Sequence, residues 1–139
     1  MDEFFSNTGF ISGGILNLTP RQTLALCRKG AVLVDVREPE LNRFKMMDVP
    51  EVIFCPLSML DATWKNLPWE RPLIFADSAG LHSREAVELL VQKGVVASIA
   101  NMAGGLVEWE RDEMPLIIDN SERLSGSCMC QLRPRNKKQ

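Results

Sequence analysis

With 139 residues, 45% hydrophobic and 24% charged, the chain has the length and make-up of one globular domain that can bury its own core. A formal charge of −2 gives no general attraction to nucleic acid or to a membrane surface, and no run approaches the ~20 apolar residues of a membrane span. Met1-Asp2-Glu3-Phe4-Phe5 lacks the basic and long apolar regions of a secretory signal, so the expectation is a cytoplasmic protein. In that compartment its four cysteines, Cys27, Cys55, Cys128 and Cys130, are thiols rather than disulfides.

Residues 1–14 mix Ser, Asn, Thr and three Gly with a few aromatics. They read as a loosely held N-terminal arm whose Phe4, Phe5 and Phe10 are able to dock on the body or on a second subunit. Ile15–Leu18 reads as a short strand. Thr19-Pro20-Arg21-Gln22 is a capping box with Pro in the first turn, which predicts a helix to about Arg28 that ends at Gly30. Cys27 falls inside it as a small core residue.

The apolar run Ala31–Val36 ends in charge at Asp35 and Arg37 and suits a parallel strand covered on both faces. A short helix is predicted near Pro39–Phe44. A Met-rich link follows over Lys45–Pro50, then a strand over Val52–Cys55 closed by Pro56-Leu57. A helix is predicted over Asp61–Asn66, and Pro68 and Pro72 bracket the turn into the run Leu73–Ala76.

From there the sequence reads strand, tight loop, helix. Asp77-Ser78-Ala79-Gly80-Leu81-His82 is the loop, Ser83 suits the N-cap, and Ala86, Val87, Leu90 and Val91 form an apolar stripe that stops at Lys93-Gly94. Such a turn aims backbone N–H groups and a helix N-terminus at one point, an anion cradle. A fifth strand over Val95–Ala100, a Gly104-Gly105 turn, a helix carrying Trp109 as a core residue and the closing Met114–Ile118 complete the body. Alternation of strands and helices predicts an α/β sandwich around a mostly parallel sheet. Ligands in such folds sit beyond the C-terminal strand ends, where Asp35, Cys55, Asp77 and Asn101 fall.

Several stretches, in matching order from about Leu16 to Leu116, resemble the rhodanese (sulfurtransferase) family. They are Leu33-Val34-Asp35-Val36-Arg37-Glu38, Phe54-Cys55-Pro56-Leu57, the 77–83 loop, and Gly104-Gly105 followed by Trp109 and Pro115-Leu116. The resemblance implies a three-layer sandwich over residues 15–118, with helices on both faces of the sheet. It also implies a loop that curls around a persulfide-forming Cys and reaches an Arg. Here Gly80 and Ser83 match, whereas Asp77 stands at the Cys position and His82 at the Arg position.

A carboxylate cannot hold a sulfane sulfur as a thiolate does, and at Asp77 it would fill the cradle with its own charge. The expectation is therefore a binding or regulatory module without ordinary thiosulfate sulfurtransferase activity. Its binding residues would be Asp77, Ser78, Ala79, Gly80, Leu81, His82 and Ser83, its pocket frame Asp35, Arg37 and Cys55, and its partner an unidentified protein or small molecule.

Other readings stay open. Ser78 is a turn residue or a nucleophile, His82 a rim residue or an acid–base partner of Asp77, and Cys55 a buried thiol or a relocated reactive one. Residues 119–139 form a polar, basic tail. Its Cys128 and Cys130 are incidental, or a sulfur-carrying or redox pair that offers the alternative function, or half of a zinc site that a second chain would complete. No cofactor or complete metal set is implied, and the arm and tail suggest a homodimer.

Overall fold

The computed structural model describes residues 4–118 apart from Arg43, and for Leu41 and Asn42 the backbone alone. The elements in chain order are β1 (Phe10–Ser12), β2 (Ile15–Leu18), α1 (Pro20–Arg28), β3 (Val32–Asp35), α2 (Pro39–Asn42), β4 (Lys45–Met47) and β5 (Val52–Phe54). There follow α3 (Leu57–Thr63) with a 3-10 turn at Trp64–Asn66, β6 (Leu73–Ala76), α4 (Leu81–Gln92), β7 (Ile99–Met102), α5 (Gly105–Arg111) and β8 (Leu116–Ile118). Six strands form one sheet in the order β1-β2-β7-β6-β3-β5, parallel except for β1. β4 and β8 make a separate antiparallel ribbon.

Apolar residues run through the central strands because both faces of the sheet are covered. Period-two alternation divides them between two cores. Leu33, Ile74, Ala76, Ala100 and Met102 join Leu24, Cys27 and Trp109 on the side of α1 and α5. Val32, Val34, Leu73 and Phe75 join Leu60, Ala86, Val87 and Leu90 on the side of α3 and α4. The result is a mixed α/β sandwich with a mostly parallel central sheet. Among the described residues no helix is long and apolar enough to cross a membrane.

The Thr19–Gln22 capping box forms as its sequence implies: the Gln22 N–H donates to Thr19 Oγ1 at 3.1 Å, and the Thr19 N–H donates to Gln22 Oε1 at 2.9 Å. Elsewhere long-range pairing moves boundaries. Phe10–Ser12 pairs with β2 across a Gly13-Gly14 turn and Phe5 is buried, so this part of the arm belongs to the body. α3 starts at Leu57, four residues earlier than the sequence suggests, because Glu38 supplies its cap. The Glu38 carboxylate accepts from the Ser58 N–H at 3.2 Å and the Ser58 hydroxyl at 2.8 Å.

The fifth strand shifts to Ile99–Met102, where Asn101 and Met102 find Asn17 and Leu18 as partners. The Met-rich link contains β4, which β8 completes from the far end of the described chain, Lys45 pairing with Ile118 and Met47 with Leu116. The helix of the central loop begins at Leu81 behind Gly80 as N-cap. Ser83 is therefore a buried residue of its first turn rather than the cap itself.

Cys27 lies buried in α1, and burial pushes its thiol up to about 12 from 9.0. The folded state thus holds the neutral form, and its stability falls as pH rises from about 9 towards 12, where only the unfolded chain ionises. The expected outcome of iodoacetamide treatment at pH 8 followed by peptide mapping is an unmodified Cys27 in the folded protein and full labelling in denaturant.

Candidate functional site

The carboxyl ends of β3, β5, β6 and β7 lie at one edge of the parallel sheet. Directly after β6, Asp77 is buried, and the chain turns sharply through Gly80 at φ 92°. The turn folds back onto the side chain that begins it. The N–H of Gly80 donates to Asp77 Oδ1 at 2.5 Å and the N–H of His82 to Oδ2 at 2.9 Å. A buried carboxylate needs such partners, and charge-assisted amide bonds are the strong kind. The loop amides therefore converge on a charge that the chain itself supplies.

A second turn backs the first. The N–H groups of Leu106 and Val107, at the start of α5, donate to the carbonyls of Asp77 and Ser78 at 2.8 and 3.0 Å. The approach is too close for side chains: a Cβ on Gly105 would lie 2.5 Å from the Ser78 carbonyl carbon and 2.6 Å from the Ala79 nitrogen.

The imidazole of His82 sits outside, 71% exposed, with Nδ1 3.6 Å from Asp77 Oδ2. Leu81 beside it is exposed as well. Behind the loop, Ser83 Oγ lies within hydrogen-bond reach of both Asp77 Oδ1, at 3.3 Å, and Asn101 Oδ1. Asn101 Nδ2 donates to Asn17 Oδ1 at 2.9 Å, and Asn17 Nδ2 donates to the Ile15 carbonyl at 2.9 Å. Asn17 has no role in the sequence reading. Its signal was a single amide inside the apolar run Ile15-Leu16-Asn17-Leu18.

Asp35 and Arg37 form a buried pair. Arg37 Nε donates to Asp35 Oδ1 at 3.0 Å, and Arg37 Nη2 donates to Oδ2 at 2.8 Å and to the Lys45 carbonyl at 2.9 Å. The pair ties the end of β3 to the β4–β8 ribbon. Cys55 is placed elsewhere: its N–H donates to the Asp35 carbonyl, and its Sγ is 3.4 Å from Thr63 Oγ1. Its strand is two removed from that of Asp77 in the sheet, about 10 Å at the usual strand spacing. Among the described residues no three of His, Cys, Asp and Glu gather as metal ligands. Cys128 and Cys130 lie outside the described residues.

Since both carboxylate oxygens of Asp77 accept a backbone N–H, an amide at that position must turn its NH2 towards one of the two donors. Asp77→Asn is expected to destabilise the protein by about 1–3 kcal/mol. Urea unfolding checks this as a lower midpoint at unchanged slope.

Known proteins share this fold. Thiosulfate sulfurtransferase GlpE of Haemophilus influenzae is 28% identical over 100 residues, which span 71% of this chain and 91% of that protein. A rhodanese-related protein of Thermoplasma volcanium superposes with a TM-score of 0.64 at 27% identity, covering 74% of this chain and 98% of that one. A protein of unknown function from Rhodopseudomonas palustris, described as a possible tyrosine phosphatase, superposes at 0.61 with 26% identity, over 74% of this chain and 85% of its own. The profile of the Rhodanese-like domain matches residues 19–112, and the chain belongs to that family.

Proposed function

We propose that this is a rhodanese-like binding or regulatory module that does not turn over thiosulfate through its central loop. The observation that carries the reading is the Asp77 carboxylate, which accepts the N–H groups of Gly80 and His82 at 2.5 and 2.9 Å. In the family resemblance this position belongs to the sulfur-accepting Cys. Sulfur transfer needs a thiolate there to attack the outer sulfur of thiosulfate, with a new S–S bond formed and sulfite leaving with the electron pair. A carboxylate has no such chemistry, and its charge repels the dianion that would approach.

The surface around it then serves recognition. Ser78, Ala79, Leu81 and His82 present the loop to a protein or a small cationic or neutral group, Gly80 and the buried Ser83 shape it from behind, and Asp35 with Arg37 holds the floor. His82 at the family's Arg position leaves the loop without a permanent cation for an anionic substrate.

One observation favours a second reading, in which the tail supplies the thiols. Ile118 pairs with Lys45, whose carbonyl holds Arg37 at 2.9 Å, so the chain leaves the described structure near the strand ends. Cys128 lies ten residues further on, a reach of up to about 35 Å. Five Arg and Lys against two Asp and Glu give residues 119–139 a charge of +3, leaving −5 on the rest of the chain.

Incubation with thiosulfate or polysulfide followed by intact-mass and peptide analysis separates the readings. The expected result is no sulfur adduct on the wild-type chain, no sulfite release, and a slow gain of one sulfur at position 77 in Asp77→Cys. Adducts on Cys128 or Cys130 that vanish in Cys128→Ser/Cys130→Ser would replace the binding module with a sulfur carrier.

A further inference from the structure

The side chains behind the loop form a relay whose direction is fixed at its far end. A backbone carbonyl can only accept, so Asn17 must turn its NH2 to Ile15 and its oxygen to Asn101. Asn101 must then present its NH2 to Asn17, which leaves its oxygen towards Ser83. Ser83 has one hydroxyl proton and two acceptor oxygens within reach, and the Asn101 contact is the shorter. The proton goes to Asn101.

Every member of the relay is buried, so water does not compete for these bonds. The relay also follows from the sheet. Asn17 and Asn101 are opposite each other in the parallel register of β2 and β7, and Ser83 comes down on them from the first turn of α4.

We infer that Asn17 and Asn101 are positioning residues that turn the Ser83 hydroxyl away from residue 77, so that Ser83 offers this position a lone pair and not a proton. The inference deepens the function proposed for the loop. A helix-opening Ser beside an anionic group would ordinarily donate to it. Here the carboxylate is held by the two backbone amides without the hydroxyl's proton, and a thiolate at the same place would lack the hydroxyl's help as well. Departure from sulfur chemistry is then written twice, once at Asp77 and once in the strands beneath it.

The test uses the full chain with Asp77→Cys as a reporter, because a thiol's alkylation rate follows its thiolate fraction. Iodoacetamide labelling at pH 7 is followed by peptide mapping, so that Cys128 and Cys130 are counted separately. If Ser83 is an acceptor, adding Ser83→Ala does not slow labelling at position 77. Adding Asn101→Val frees the hydroxyl to donate to the thiolate and speeds labelling roughly tenfold. Ser83→Ala in that background abolishes the gain.

Asn17→Leu is an independent route to the same release: without its anchor Asn101 can turn its NH2 to Ser83, and labelling again accelerates. Cooperative thermal unfolding qualifies each variant before rates are compared, and either Asn variant suffices. A Ser83→Ala change that slows labelling, with rates untouched by the Asn changes, would overturn the inference. The readout needs no sulfur donor. Should Asp77→Cys label as expected yet accept no sulfane sulfur, the proposed function loses its support and the relay does not.

Discussion

Two turns pressed backbone against backbone govern the carboxyl edge of this sheet. The loop after β6 and the loop after β7 come so close that Gly80 and Gly105 have no room for a Cβ: one on Gly80 would lie 2.7 Å from the Gly104 nitrogen. Both glycines also have positive φ, so a side chain would be strained there whatever the space. That contact seats the start of α5 on the carbonyls of Asp77 and Ser78, and with them curled the amides of Gly80 and His82 are free to face inward. What those amides meet decides the chemistry. In this chain they meet a carboxylate, so the geometry that would raise the reactivity of a thiol instead satisfies a structural charge.

The second buried charge, on Asp35, is treated differently. It is neutralised by Arg37 and anchored to the backbone of β4, outside the main sheet. Buried pairs of this kind add little net stability but are costly to break from one side, which makes them good registers. The pair fixes where the β4–β8 ribbon meets the end of β3, and Lys45 adds an exposed ion pair with Glu110 of α5 at 2.8 Å. Ribbon, β3 and α5 thus share one junction below the loop.

Where local chemistry decides an element, the sequence was a sufficient guide. The capping box of α1, the buried runs of β3 and β6 and the core place of Trp109 depend on neighbours within a few residues or on plain hydrophobicity. Where the partner is far away, it was not. α3 begins at Leu57 because Glu38 caps it from 20 positions upstream, and Lys45–Met47 is a strand only because Leu116–Ile118 lies beside it. Ser83 has the right chemistry for a cap, yet Gly80 in the left-handed region takes that place and starts α4 earlier. At the site, the loop residues announce themselves by composition and order. Asn17 does not, since one amide in an apolar run looks the same whether it is idle or holds the end of a relay 84 residues long in sequence.

The seam between β2 and β7 joins the first third of the chain to the last, through a parallel register with Asn17 opposite Asn101. The pairs β3–β5 and β3–β6 close much shorter loops. Loop-closure entropy rises with the length enclosed, so a folding chain assembles β5-β3-β6 at lower cost than it docks β2 on β7. The buried amides therefore meet across the longest closure in the sheet, whereas the loop at Asp77 rests on contacts with the start of α5 that are much nearer in sequence.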